Sequence, residues 1–126
     1  MATRVFLAFS TLVWLPYGLF CFFQPGFLEG AAGVVALTPT GSTELRAMYG
    51  GLQASVGVAS LLGALRPALA PQVLRMLAFV FGGLGSSRLL GAVLDDAWSS
   101  YTSSALGFEL VGFAVCIVLL RRRTDR

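Results

Sequence analysis

The chain has 126 residues, of which 56% are hydrophobic and only 12% charged, and its mean hydropathy is +0.80. A water-soluble domain carries about twice that charge, so an ordinary globular protein is excluded. The sequence has no histidine, which removes the commonest metal ligand and neutral-pH acid/base together with Ser-His and Cys-His nucleophile arrangements; neither a metal site nor a cofactor is expected.

Four apolar runs approach or exceed the roughly 20 helical residues that cross a hydrocarbon core of about 30 Å: residues 5–23, 44–64, 73–94 and 103–120. Backbone groups in lipid must pair internally, so each is expected to be a helix. The expected fold is all-α, an integral membrane four-helix bundle formed by one domain over residues 1–126. The first run is too long for the apolar core of a secretion signal and is preceded by Arg4 alone, so it reads as a retained span. Pro16 inside it removes one backbone hydrogen bond and predicts a kink.

The segment 24–42 is long for a loop and unusually apolar, with Phe27, Leu28, Ala31, Ala32, Val34, Val35, Ala36 and Leu37. It predicts a partly helical outer loop lying against the membrane and ending near Thr38-Pro39-Thr40-Gly41, with Ser42 or Thr43 capping the second span. That span opens Glu44-Leu45-Arg46-Ala47-Met48-Tyr49-Gly50-Gly51, placing two charges at the head of an apolar run. The pairs Gly50-Gly51 and Gly82-Gly83 lie inside spans and fit close helix packing better than a phosphate cradle. Between the third and fourth spans, Trp98 and Tyr101 read as interfacial aromatic anchors.

Orientation follows from the arginines, since there is no lysine. Arg4, Arg66, Arg75, Arg121, Arg122, Arg123 and Arg126 fall on one side, whereas the other side's loops hold Glu29, Asp95 and Asp96. Both termini are therefore expected in the cytoplasm. The pI of about 9.4 reflects this topology and implies no nucleic-acid partner; the basic tail suits anionic lipid headgroups.

Four charges remain: Glu44, Arg46, Arg88 and Glu109. Arg88 and Glu109 each lie six residues from the outer end of their expected spans, roughly 9 Å deep at 1.5 Å per residue. Helical spacing groups Arg46, Tyr49, Gly50 and Gln53 on one face, Gly85, Arg88, Ala92 and Asp95 on another, and Ala105, Glu109, Gly112 and Cys116 on a third. Small neighbours let helices approach closely, which turns these faces inward. Two acids and two arginines balance, and the expected pair is Arg88 with Glu109. Glu44 is then expected to cap its own helix start, leaving Arg46 for a neighbour or a ligand. Such a cluster either fixes helix register or forms a site. Cys21 and Cys116 are expected at different depths as packing residues, with no disulfide between them.

The motif running from Glu44 to Leu52, preceded by Pro25 and Leu37-Thr38-Pro39 and followed by Phe81-Gly82-Gly83 and Arg88, resembles the domain-of-unknown-function 4345 family over about residues 5–120. A more distant likeness is to the DoxX group. The resemblance implies a small bacterial four-helix membrane protein, hence the cytoplasmic membrane, and brings no catalytic mechanism.

Two functional classes fit. In the first, a lipophilic small molecule enters an outer-leaflet polar pocket, bound by Arg46, Tyr49, Gln53 and Arg88. Glu109 or Glu44 would exchange protons for an isomerisation, cyclisation or epoxide opening. In the second, the chain is a non-catalytic accessory or structural subunit that docks on a membrane partner or a second copy through its glycine-lined faces. A transporter fits less well, because four spans rarely enclose a pathway without dimerising.

Overall fold

A computed structural model describes residues 1–124. Arg126 of the basic tail lies outside the described residues. The described chain is helical without strands: α1 (Ala2–Phe23), α2 (Phe27–Ala32), α3 (Pro39–Leu45), a π-helical segment (Arg46–Gly51), α4 (Leu52–Leu65), α5 (Ala70–Leu94) and α6 (Ser100–Thr124). Because α3, the π segment and α4 run on without a break, four helices are long and apolar enough to span a membrane: Ala2–Phe23, Pro39–Leu65, Ala70–Leu94 and Ser100–Arg122. Two compact units divide the chain, Met1–Ala70 and the remainder from Pro71 onward.

In the first unit α1 buries Leu7, Thr11, Trp14, Gly18 and Cys21, a spacing of alternating four and three residues that keeps one stripe on one side. Pro16 falls on the exposed side, and α1 continues through it. The facing stripe of the second span contains Gly50, Gly57, Ser60 and Ala64, all buried. Contact is backbone to backbone. A Cβ added at Gly18 would stand 2.3 Å from the Ala54 nitrogen, and one at Gly57 would stand 2.5 Å from the Leu15 nitrogen. These pairings fall in number along one helix as they rise along the other, so α1 and the second span are antiparallel. Hydroxyls within this unit are satisfied locally: Thr11 donates to the Leu7 carbonyl at 2.9 Å and Ser60 to the Val56 carbonyl at 2.8 Å.

The segment between α1 and the second span is partly helical, as expected, but its details differ. Its helix is α2, which stops at Gly33 in the left-handed region (φ +69°), where the Gly33 N–H reaches the Glu29 carbonyl. The Thr38-Pro39 pair does not end this helix. It begins the next one: Thr38 is extended, its hydroxyl accepts from the Gly41 N–H at 3.0 Å, and Pro39 takes the first helical position, where a missing N–H costs nothing. The expected caps Ser42 and Thr43 are therefore inside the helix, and so is Glu44, more than a turn past the start and not capping it.

The second unit pairs α5 with α6. Residues 95–99 turn the chain, with Asp96 at φ +49°, and the Ser99 hydroxyl accepts from the Thr102 N–H at 3.0 Å. That cap starts α6 three residues earlier than the apolar run suggests and carries Tyr101 into the first turn. Phe81, 1% exposed, lies over Gly112, where an added Cβ would be 2.7 Å from the ring, and meets Phe108 edge to face at 5.4 Å. A Cβ at Gly82 would come within 3.2 Å of the Phe113 ring. These contacts also run antiparallel.

Candidate functional site

Two arginines, Arg46 in the first unit and Arg88 in the second, stand apart from the five described arginines Arg4, Arg66, Arg75, Arg121 and Arg122 that are exposed, and each has found a partner within its own unit. In the second unit α5 presents Gly85 and Arg88 one turn apart, while α6 presents Glu109 opposite them. A Cβ at Gly85 would lie 3.4 Å from the Glu109 Cβ, so the glycine lets the carboxyl-bearing side chain come close to α5. Arg88 Nε donates to both carboxylate oxygens, at 3.0 Å to Oε1 and 2.9 Å to Oε2, and Nη2 donates to Oε1 at 2.7 Å. This is the fork geometry that arginine offers and lysine does not. The Arg88 side chain is 27% exposed and that of Glu109 only 4%. Arg88 Cζ also lies 5.8 Å from the centroid of the Tyr101 ring, within range for a cation–π contact.

The expected α6 face is largely as drawn, with Glu109, Gly112 and Cys116 buried and Ala105 half-buried. On α5, Gly85 and Ala92 are buried and Arg88 half-buried, whereas Asp95 is exposed beyond the helix end. Both cysteines are buried free thiols.

In the first unit Arg46 begins the π-helical segment. Its Nη1 donates to the Phe22 carbonyl, and its Cζ lies 5.9 Å from the Phe22 ring. Phe22 is in the last turn of α1, where carbonyls lack intrahelical partners and the helix dipole is negative, so a cation is stabilised there by about 0.3–1 kcal/mol. Arg46 thus caps α1, and no carboxylate lies within ion-pair distance of it among the described residues. Gly50, one turn on, touches the same residue: a Cβ there would be 2.7 Å from the Phe22 Cβ. Both ends of the wide turn are held by Phe22.

The π geometry is a departure from the 3.6-residue spacing used to draw this face. The Leu52 N–H bonds the Ala47 carbonyl, five residues back, so the turn contains one extra residue and Arg46 stacks toward Gly51. Tyr49 and Gln53 are half-buried and Glu44 exposed; no hydrogen bond from these three side chains occurs among the described residues. Tyr101 and Phe22 are companions of the two arginines that sequence reasoning missed. For Tyr101 the overlooked signal was Ser99 three residues before Thr102, a capping pattern that moves the helix start upstream. Nothing in the sequence marks Phe22, since its part is played by a main-chain carbonyl.

No curated protein and no solved structure matches this chain. With charged residues lodged in four apolar helices and the glycine-rich motif seated on α1, the chain belongs to the family described as Domain of unknown function (DUF4345), which it matches over residues 2–120.

Proposed function

We propose that this membrane protein binds a lipophilic small molecule from the outer leaflet and converts it by acid/base chemistry, such as isomerisation, cyclisation or epoxide opening. In the first unit Arg46 orients the polar end of the ligand, Tyr49 and Gln53 offer hydrogen bonds and Glu44 carries the proton; Arg88 and Glu109 are the corresponding groups of the second unit. The observation that carries this reading is Arg46. A guanidinium at the head of a spanning helix, on a π turn of the kind that recurs at functional sites, donates only to a main-chain carbonyl and has no carboxylate partner among the described residues. The α1 end and the Phe22 ring offset only part of its positive charge.

The experiment is native mass spectrometry of protein released from mild detergent. A bound non-phospholipid adduct is expected in the wild type and lost in Arg46→Gln while the helical content is kept. An adduct-free wild type would overturn the reading.

A second reading, that the chain is a non-catalytic accessory or structural subunit, is favoured by the Arg88–Glu109 geometry, because both oxygens of the buried carboxylate are engaged by one arginine. Wild-type protein that carries no adduct and travels in a stoichiometric membrane complex would favour it.

We further propose that both termini face the cytoplasm of a bacterial cell, the chain lying in the cytoplasmic membrane. Arg4, Arg66, Arg75, Arg121 and Arg122 are all exposed and fall at the ends of spans that this orientation assigns to one side. A terminal tag labelled by an impermeant reagent in intact cells would overturn it.

A further inference from the structure

We propose that the Nε–Nη2 edge of Arg46 takes the two-oxygen anionic head, carboxylate or phosphate, of the lipophilic ligand. The inference rests on the ligand-binding reading above and names the class of ligand and the atoms that hold it. Its basis is a comparison inside the chain. Arg88 turns Nε and Nη2 to the two carboxylate oxygens of Glu109. Arg46 gives Nη1 to the Phe22 carbonyl, and this is its one hydrogen bond among the described residues. The edge that meets two oxygens in the second unit therefore has no acceptor among the described residues in the first. Its direction is nevertheless set, because Nη1 is anchored on the carbonyl and the Phe22 ring lies 5.9 Å from Cζ. An anion then meets donors already held in place, in the planar pair that suits two oxygens.

The level of Arg46 suits the head of an amphiphile. From Ala2 to Phe22 α1 rises about 30 Å, and from Arg46 to Leu65 the second span rises about 28 Å. Both lengths place the Arg46–Phe22 contact at one boundary of a hydrocarbon core of about 30 Å. Beyond that boundary the second span is polar, with Thr40, Ser42, Thr43 and Glu44; toward mid-membrane it presents exposed Met48 and Leu52, and α1 presents exposed Phe22, as surface for a tail. Arg46 N–H bonds the Ser42 carbonyl, so the Ser42 side chain is one turn before it; the Ser42 hydroxyl makes no hydrogen bond to a described residue and is a further donor for the head. No acid of this unit competes. Glu44 is two residues from Arg46, a spacing that does not face it, and neither Glu44 nor Glu29 is within ion-pair distance of it. An ammonium head would be repelled, and a hydroxyl head would gain a hydrogen bond without the charge.

The test uses the full chain in phosphatidylcholine nanodiscs, titrated with dodecanoate, dodecanol and dodecylamine at a pH that ionises both acid and amine, with displacement of a fluorescent fatty acid as the readout. Dodecanoate is expected to bind about tenfold more tightly than dodecanol, as one charge-assisted contact provides, and dodecylamine not at all. Arg46→Lys keeps the charge but loses the two-donor edge, so it should weaken dodecanoate several-fold and leave dodecanol unchanged. Arg46→Gln should bring the two probes to equal affinity, and Ser42→Ala should weaken dodecanoate about twofold. Should Arg46→Gln fail to fold, the wild type itself keeps the test decisive: a dodecanoate analogue with a diazirine beside its carboxylate should, on irradiation, label the stretch from Thr38 to Leu52.

Equal binding of dodecanoate and dodecanol to the wild type would overturn the oxyanion class and leave the ligand-binding reading standing. Binding of none of the three probes would overturn both. Undiminished dodecanoate binding in a folded Arg46→Lys protein, or labelling confined to the chain from Pro71 onward, would overturn the assignment to the Arg46 edge. Phosphatidylglycerol in the disc that displaces dodecanoate would uphold the oxyanion edge, assign its occupant to a bilayer lipid and overturn the reading of a converted ligand there. Its failure to compete would assign the edge to a free amphiphile and uphold both.

Discussion

The two units solve the same problem, joining two membrane helices where lipid supplies no hydrophobic drive, by different means. Between α1 and the second span the joint is backbone on backbone: Gly18, Gly50 and Gly57 leave no room for a single methyl group, and their neighbours are main-chain atoms or the first carbon of a side chain. Between α5 and α6 the glycines face side chains, Gly112 and Gly82 receiving the Phe81 and Phe113 rings, and an ion pair completes the contact. The arginines differ accordingly. Arg46 satisfies a backbone carbonyl at the end of α1, whereas Arg88 satisfies a side chain in the body of α6. A close backbone joint leaves no space between its helices for a carboxylate partner, so its charge is moved to the end of the helix; a side-chain joint can hold a charge within it. That is why a buried carboxylate is found in the second unit.

The comparison breaks most visibly at Gly57. Gly57→Ala places a methyl group 2.5 Å from the Leu15 nitrogen, which no rotamer change can relieve. We expect a loss of roughly 3 kcal/mol, the upper end of overpacking costs, seen as a collapse of the thermal transition in detergent. Glu109→Gln comes next. Breaking a buried pair costs about 3–5 kcal/mol when one charge is left uncompensated, and the partial exposure of Arg88 reduces this to about 2 kcal/mol. Neutralising Arg88 as well should recover part of it, and strictly additive losses in the double-mutant cycle would show that the two residues are not coupled.

Gly112→Ala sharpens the contrast with Gly57→Ala. Its methyl group meets the Phe81 ring at 2.7 Å, a side chain that can tilt although it is 1% exposed, so about 1–2 kcal/mol is expected. If Gly112→Ala proved as damaging as Gly57→Ala, the distinction between backbone and side-chain joints would fail. The smallest effect belongs to Thr38→Ala, which removes one cap from the second span and should cost about 1 kcal/mol. Faster amide exchange at Gly41, the donor to the Thr38 hydroxyl, is the measurement; unchanged exchange there would contradict the cap.

The four spans, the all-α class and the pairing of Arg88 with Glu109 were legible in the sequence, because hydropathy, the backbone's need for partners in lipid and the rarity of charge in a span act through composition and spacing alone. Helix starts were legible in principle, through Thr38-Pro39 and Ser99, yet the apolar runs pointed three to five residues inward because capping residues are polar and lie outside any hydropathy signal. Only the tertiary structure decided the rest. The π turn at Arg46–Gly51 has no residue code; its two ends are held by Phe22 on another helix, through a carbonyl and a close backbone approach. The exposure of Arg88 with its carboxylate hidden likewise depends on how α5 and α6 pack. Spacing can place two charges on facing helices, but which of the two side chains is left partly exposed is set by packing.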